Sequence, residues 1–85
     1  MAEAVRYEPH ARQKMAIRDI STAMVEAVLA KPDRVTPAPT APGRTQRRSN
    51  ILWGRVGQRT LKVYVKVGSN PPLVTTVAWK GWNPT

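Results

Sequence analysis

The sequence predicts an α+β domain, a short strand and two helices followed by an antiparallel meander of three or four strands, with the helices on one sheet face. Three observations point there. Residues 10–31 hold helix formers with apolar positions three and four apart. Residues 50–80 hold runs rich in β-branched residues, and a proline-rich stretch separates the two halves. At 85 residues and 41% apolar composition, the chain has room for one core, so a single domain over 1–85 is expected.

The elements follow in order. Residues 5–7 are β-capable and are stopped by Pro9. A first helix is expected over 10–18, which lack internal glycine and proline, with Pro9 at a first-turn position where proline is tolerated. Asp19, Ser21 and Thr22 then supply capping oxygens. Ser21 is the expected N-cap of a second helix, in which Met24, Val25, Val28 and Leu29 form one apolar stripe and Pro32 ends the run. Two helices in succession make a hairpin or corner.

From Asp33 onward "VTPAPTAPGRTQRR" reads as a loop, stiffened by Pro37, Pro39 and Pro42, that could form a rim or flap over one side of the domain. "NILWGRV" and "RTLKVYVKV" flank Gly57-Gln58, a two-residue hairpin turn with glycine at its first central position. In the second run Leu61, Val63, Val65 and Val67 point one way, and Thr60, Lys62, Tyr64 and Lys66 the other. After a turn at "GSNPP", "LVTTVAWK" forms the last strand, and its weak alternation reads as burial on both faces. No element is left to cover the sheet face that carries Lys62, Tyr64 and Lys66.

Charge is the strongest compositional signal. The net charge is +9, yet residues 1–33 hold five acids and five bases and sum to zero. Residues 34–85 hold nine bases and no acid. Such a field attracts phosphate backbones or an acidic protein; a merely solvated surface usually mixes signs. Without cysteine there is neither a disulfide nor a thiolate zinc site, and one histidine without a paired acid at ligand spacing cannot close a metal site, so no cofactor is expected. The sequence has no apolar stretch of signal-peptide length and none near the ~20 residues of a membrane span, which predicts a cytoplasmic protein.

"HARQKMAIRDIS" resembles a His-Ala-x-x-(Arg/Lys)-Met-x-x-Arg-x-Ile-Ser signature that opens a family of small bacterial and phage domains of uncharacterised function, and "AVLAKPDRV" and "LVTTVAWK" resemble its helix end and closing strand. In element order that family is similar to the RelE/ParE superfamily, BrnT-like toxins included. The resemblance implies two helices against an antiparallel sheet and a toxin-type, metal-independent endoribonuclease. It also implies RNA as substrate, including ribosome-associated mRNA, and an acidic antitoxin or other acidic protein as partner. This chain departs from the pattern at Asp19, where a glycine is common, and in its proline-rich loop.

Cleaving RNA without a metal requires a base for the 2′-hydroxyl proton, a cation on the phosphate and an acid for the leaving oxygen. Lys62, Tyr64 and Lys66 succeed one another at about 7 Å by strand rise and could span a phosphate and its neighbouring base. Tyr64 could stack on that base or donate its hydroxyl proton. Arg55 and Arg59 near the hairpin, Arg47 and Arg48 on the strand before it, Lys80 at the last strand's end and Lys14 on the first helix are candidate phosphate contacts. The bland alternative is an ordinary solvated strand face. His10 has two readings, a catalyst or a ring that secures the start of its helix. Trp53 and Trp79 are expected in the core, with base-stacking platforms as the alternative, while Trp82 could cap the core, meet an antitoxin or stack on RNA. Three functions follow: a ribonuclease toxin, a non-catalytic nucleic-acid-binding module, and a ParE-like or phage protein-interaction domain that turns its basic face to an acidic partner.

Overall fold

In the computed structural model, which describes residues 5–38 and 49–81, the chain runs β1 (Arg6–Tyr7), α1 (Pro9–Arg18), α2 (Thr22–Ala30), β2 (Arg34–Pro37), β3 (Ser49–Val56), β4 (Arg59–Lys66) and β5 (Leu73–Trp79). The fold is α+β, with both helices on one face of the sheet: Ala11, Met15, Val25 and Val28 share a single buried cluster with Leu61, Val63, Val74, Val77 and Trp79.

The helix boundaries have local causes. Pro9 opens α1, where its missing N–H removes no helical bond. At the other end Asp19 turns left-handed (φ 57°, ψ 49°), and its N–H and that of Ile20 both donate to the Met15 carbonyl. The apolar contact expected of such a cap is present, since Met15 and Ile20 belong to the same buried cluster. Two residues past Asp19, Ser21 accepts the Met24 N–H at 3.2 Å and starts α2. The predicted stripe faces the sheet, with Val25 and Val28 buried and Met24 and Leu29 half-buried beside them. Asp19 holds a conformation that suits glycine, and it sets a negative charge at a helix C-terminus. Asp19→Gly is therefore expected to raise stability by about 0.5–1 kcal/mol, read as a higher urea midpoint; a fall would mean that the carboxylate makes a compensating contact.

The sheet has five strands in the order β1-β5-β4-β3-β2, so β4 lies in the middle. The expected antiparallel meander is β3-β4-β5, and a strand is added at each edge. β1 joins parallel to β5, with the Arg6 N–H on the Pro72 carbonyl at 2.9 Å and the Glu8 N–H on the Val74 carbonyl at 3.0 Å. β2 forms at residues 34–37, where the sequence reads as loop. The reason is local: Val35 and Thr36 are β-branched, and Pro37 stands on an edge strand, where a missing donor breaks no ladder. Pro39, Pro42 and the rest of the loop through Arg48 lie outside the described residues, as does Trp82. The β3–β4 turn forms as expected, with Gly57 at φ 64°.

Leu61 and Val63 point to the helices, and Val65 packs half-buried beside them. Val67, expected to continue this row, lies past the end of β4 and is exposed. The weak alternation of the last strand has a different cause from burial on both faces. Tyr64 pairs with Thr76 and Val65 with Val74, which leaves Thr75 as the extra residue of a bulge. Val74 and Val77, three apart, thereby both reach the core. Among the described residues no helix is long and apolar enough to cross a membrane.

Candidate nucleic-acid interface

Residues directly opposite one another on paired strands share a sheet face. Leu61 and Val63 face the helices, so Lys62, Tyr64 and Lys66 face away from them, and the register extends that open face into rows. Lys62 lies opposite Trp53 of β3 on one side and Ala78 of β5 on the other, and Trp53 lies opposite Arg34 of β2. The next row is Thr36, Ile51, Tyr64 and Thr76, in which Ile51 is buried although it is not in the cluster beneath the helices. Lys66 pairs with Ser49 at one end, and Arg55 with Thr60 at the other. Lys80 follows β5 beside that last row, its N–H on the Thr60 carbonyl at 2.8 Å. Arg34, Arg55 and Lys80 are exposed, whereas Trp53, Lys62, Tyr64 and Lys66 are half-buried. No residue of the five strands is acidic.

The row through Trp53 is tied together. The Arg34 guanidinium carbon lies 4.5 Å from the centroid of the Trp53 ring and the Lys62 ammonium 5.6 Å from it, each contact worth roughly 0.5–1 kcal/mol at a partly exposed site. The indole N–H donates to Thr36 Oγ1 at 2.9 Å, which sets the orientation of the ring. Trp53 thus stands on the open face, and the expectation that it fills the core is corrected. Its parity along β3 explains this, because the neighbouring Gly54 lies opposite Leu61 on the helix side. Trp79 is in the core as expected, with its N–H on the Arg18 carbonyl at 3.0 Å. The Thr75 bulge adjoins Tyr64, and the Thr75 hydroxyl donates to the Tyr64 carbonyl at 3.3 Å.

Of the residues singled out in the sequence, Lys62, Tyr64, Lys66, Arg55 and Lys80 come together. Others do not. His10 is exposed in the first turn of α1, so the sheet stands between it and the lysines. Lys14 is on the same helix. Arg59 lies opposite Val56 on the helix side, where its guanidinium stacks on the Trp79 ring at 3.9 Å and covers the end of the core. Arg47 and Arg48 are outside the described residues. Arg34 is not among the candidates the sequence singles out, and Trp53 is weighed there as a base-stacking platform but ranked behind packing; the register makes both detectable. A two-residue turn at 57–58 pairs 56 with 59 and hence 53 with 62, while Val35-Thr36 marks a β-capable step beside Arg34.

The phenol with the clearest change in acidity is on the helix side. Tyr7 has its hydroxyl oxygen buried with no hydrogen-bond partner among the described residues. Burial pushes its pKa up and the Glu26 carboxylate pushes it further, while the Arg12 guanidinium, 5.1 Å over the ring, opposes them. Tyr7 therefore stays protonated at neutral pH and takes no part in the open face.

A family model described as a domain of unknown function (DUF4258) matches residues 7–79, a span that takes in both helices and Arg34, Trp53, Lys62, Tyr64 and Lys66. No curated protein and no solved structure matches the chain.

Proposed function

The chain belongs to the DUF4258 family, and we propose that it acts on RNA through the open sheet face, as a cytoplasmic, toxin-type endoribonuclease of the RelE/ParE kind that needs no metal and is restrained by an acidic antitoxin. The observation that carries this reading is the line of Lys62, Tyr64 and Lys66 on the middle strand, turned away from both helices on strands without an acid. In the reaction the 2′-oxygen attacks phosphorus, the bond from phosphorus to the 5′-oxygen breaks, and the proton taken from the 2′-hydroxyl is matched by one given to the leaving oxygen. The two lysines and the phenol supply the base, the cation on the phosphate and the acid. The similarity in element order to the RelE/ParE superfamily adds to this reading.

A second reading has one observation in its favour. Because His10 is on the other side of the sheet, the open face lacks the side chain best suited to proton transfer near neutral pH, as befits a module that binds RNA without cutting it. Incubating the purified protein with total RNA in the presence of a chelator, with and without ribosomes, separates the two. The expected result is fragments with 2′,3′-cyclic phosphate ends. Intact RNA bound with a steep salt dependence would select the non-catalytic module. Absence of both cleavage and binding at physiological salt would reject action on RNA and leave the acidic protein partner.

A further inference from the structure

We infer that the Trp53 row is a subsite for an unpaired nucleobase, and that Arg34 and Lys62 take the phosphates on either side of it. This deepens the RNA reading, since it uses the same face and names single-stranded RNA as what the face accepts. Four observations carry it. In the free protein two cations rest against one indole ring, and none of the strand residues around them is acidic. The ring quadrupole attracts each cation but neutralises neither, so phosphates on both sides would relieve the repulsion between them. The indole is already oriented through Thr36, so its ordering need not be supplied when a ligand arrives.

The third observation is shape. The Arg34 guanidinium carbon, over the ring at 4.5 Å from its centroid, occupies the ring face that a flat base would take. Arg34 is exposed and on an edge strand, free to swing to a phosphate as a base replaces it. The fourth is spacing. Arg34 and Lys62 stand one strand to each side of Trp53, about 10 Å apart across the sheet, and Tyr64 lies about 7 Å along β4 from Lys62. The face can therefore hold one base on Trp53 and a second on Tyr64. A duplex keeps both inside its stack and offers the rings nothing.

The test uses the full chain and 2′-O-methyl oligonucleotides, which lack the attacking hydroxyl and so report binding without cleavage. Binding of a single strand is expected to quench tryptophan emission, and the quench should vanish in Trp53→Leu along with roughly tenfold or more of the affinity. Trp53→Phe keeps a ring and should retain most of the affinity, which guards against a folding defect in the leucine variant. Arg34→Ala should lower the slope of log affinity against log salt by about 0.7, one phosphate contact on a single strand. Full affinity in Trp53→Leu, or equal binding of duplex and single strand, would overturn the subsite; if replacing Lys62, Tyr64 and Lys66 still weakens binding by roughly tenfold or more, the RNA face itself survives. No binding by the unaltered protein would overturn both. Displacement of the oligonucleotide by poly-glutamate at equal concentration would mean a face built for acidic protein, and would also overturn the subsite.

Discussion

Gly54→Ala is expected to destabilise the protein by about 1–3 kcal/mol, as overpacking of a closed core does. Gly54 is in the interior of β3 with an ordinary backbone, where alanine would normally be better by roughly 0.5–1 kcal/mol. Contact with α2 reverses the sign. A Cβ at this position would lie 2.6 Å from Cγ2 and 3.1 Å from Cγ1 of Val28. Val28 is 2% exposed and β-branched, so within a helix it is held strongly to one rotamer. The whole helix would have to lift, against a cap at Ser21 and the buried Val25. Urea denaturation checks the loss, and adding Val28→Ala should recover part of it, giving the positive coupling of residues that share one space. An unchanged midpoint in Gly54→Ala would show that α2 is not pressed on β3 here. The point bears on the site as well, because the parity that turns Gly54 toward Val28 turns Trp53 away from it.

How much could be read from the sequence depended on whether the signal was local. Ser21, Pro9, the stripe at Val25 and Val28, and the Gly57 turn each act over a few residues, and each formed as the sequence predicts. The alternation in β4 was equally plain and placed Lys62, Tyr64 and Lys66 on the open face. What escaped was set by partners distant in the chain. β2 has a β-capable step at Val35 and Thr36, but it also needs the ladder that β3 offers, and the prolines that follow hide that pairing. The bulge at Thr75 depends on its pairing with Tyr64 and Val65, so its broken alternation imitated burial on both faces. Arg59 illustrates the limit best: among basic residues near a hairpin it looks like a phosphate contact, and only the core location of Trp79 makes it a cover for the core. His10 drew attention by residue type alone, and residue type does not say on which side of a sheet a helix will lie.

Replacing Lys62, Tyr64 and Lys66 together with alanine is expected to abolish RNA cleavage and to weaken binding by one to two orders of magnitude at physiological salt, from two lost phosphate contacts and one lost stacking surface. The salt slope should fall by about 1.4, since each contact on a single strand contributes about 0.7. The fold should survive, because all three side chains lie on the face away from the helices and none belongs to the buried cluster. His10→Ala and Arg59→Ala are the informative companions. Both alter groups on the helix side, so both should leave cleavage and the salt slope unchanged, although Arg59→Ala should lower the melting temperature by uncovering Trp79. If His10→Ala abolished cleavage while the triple variant kept it, the chemistry would belong to the helix layer and the open face would be left with binding alone. If the triple variant lost cleavage but kept its slope, the lysines would act on the reacting groups and the affinity would come from Arg34, Arg55 and Lys80, which border the same face. Binding and chemistry are thus separable along a single strand, because the pleat commits alternate side chains of β4 to the helix side and sets Lys62, Tyr64 and Lys66, each half-buried, on the opposite face.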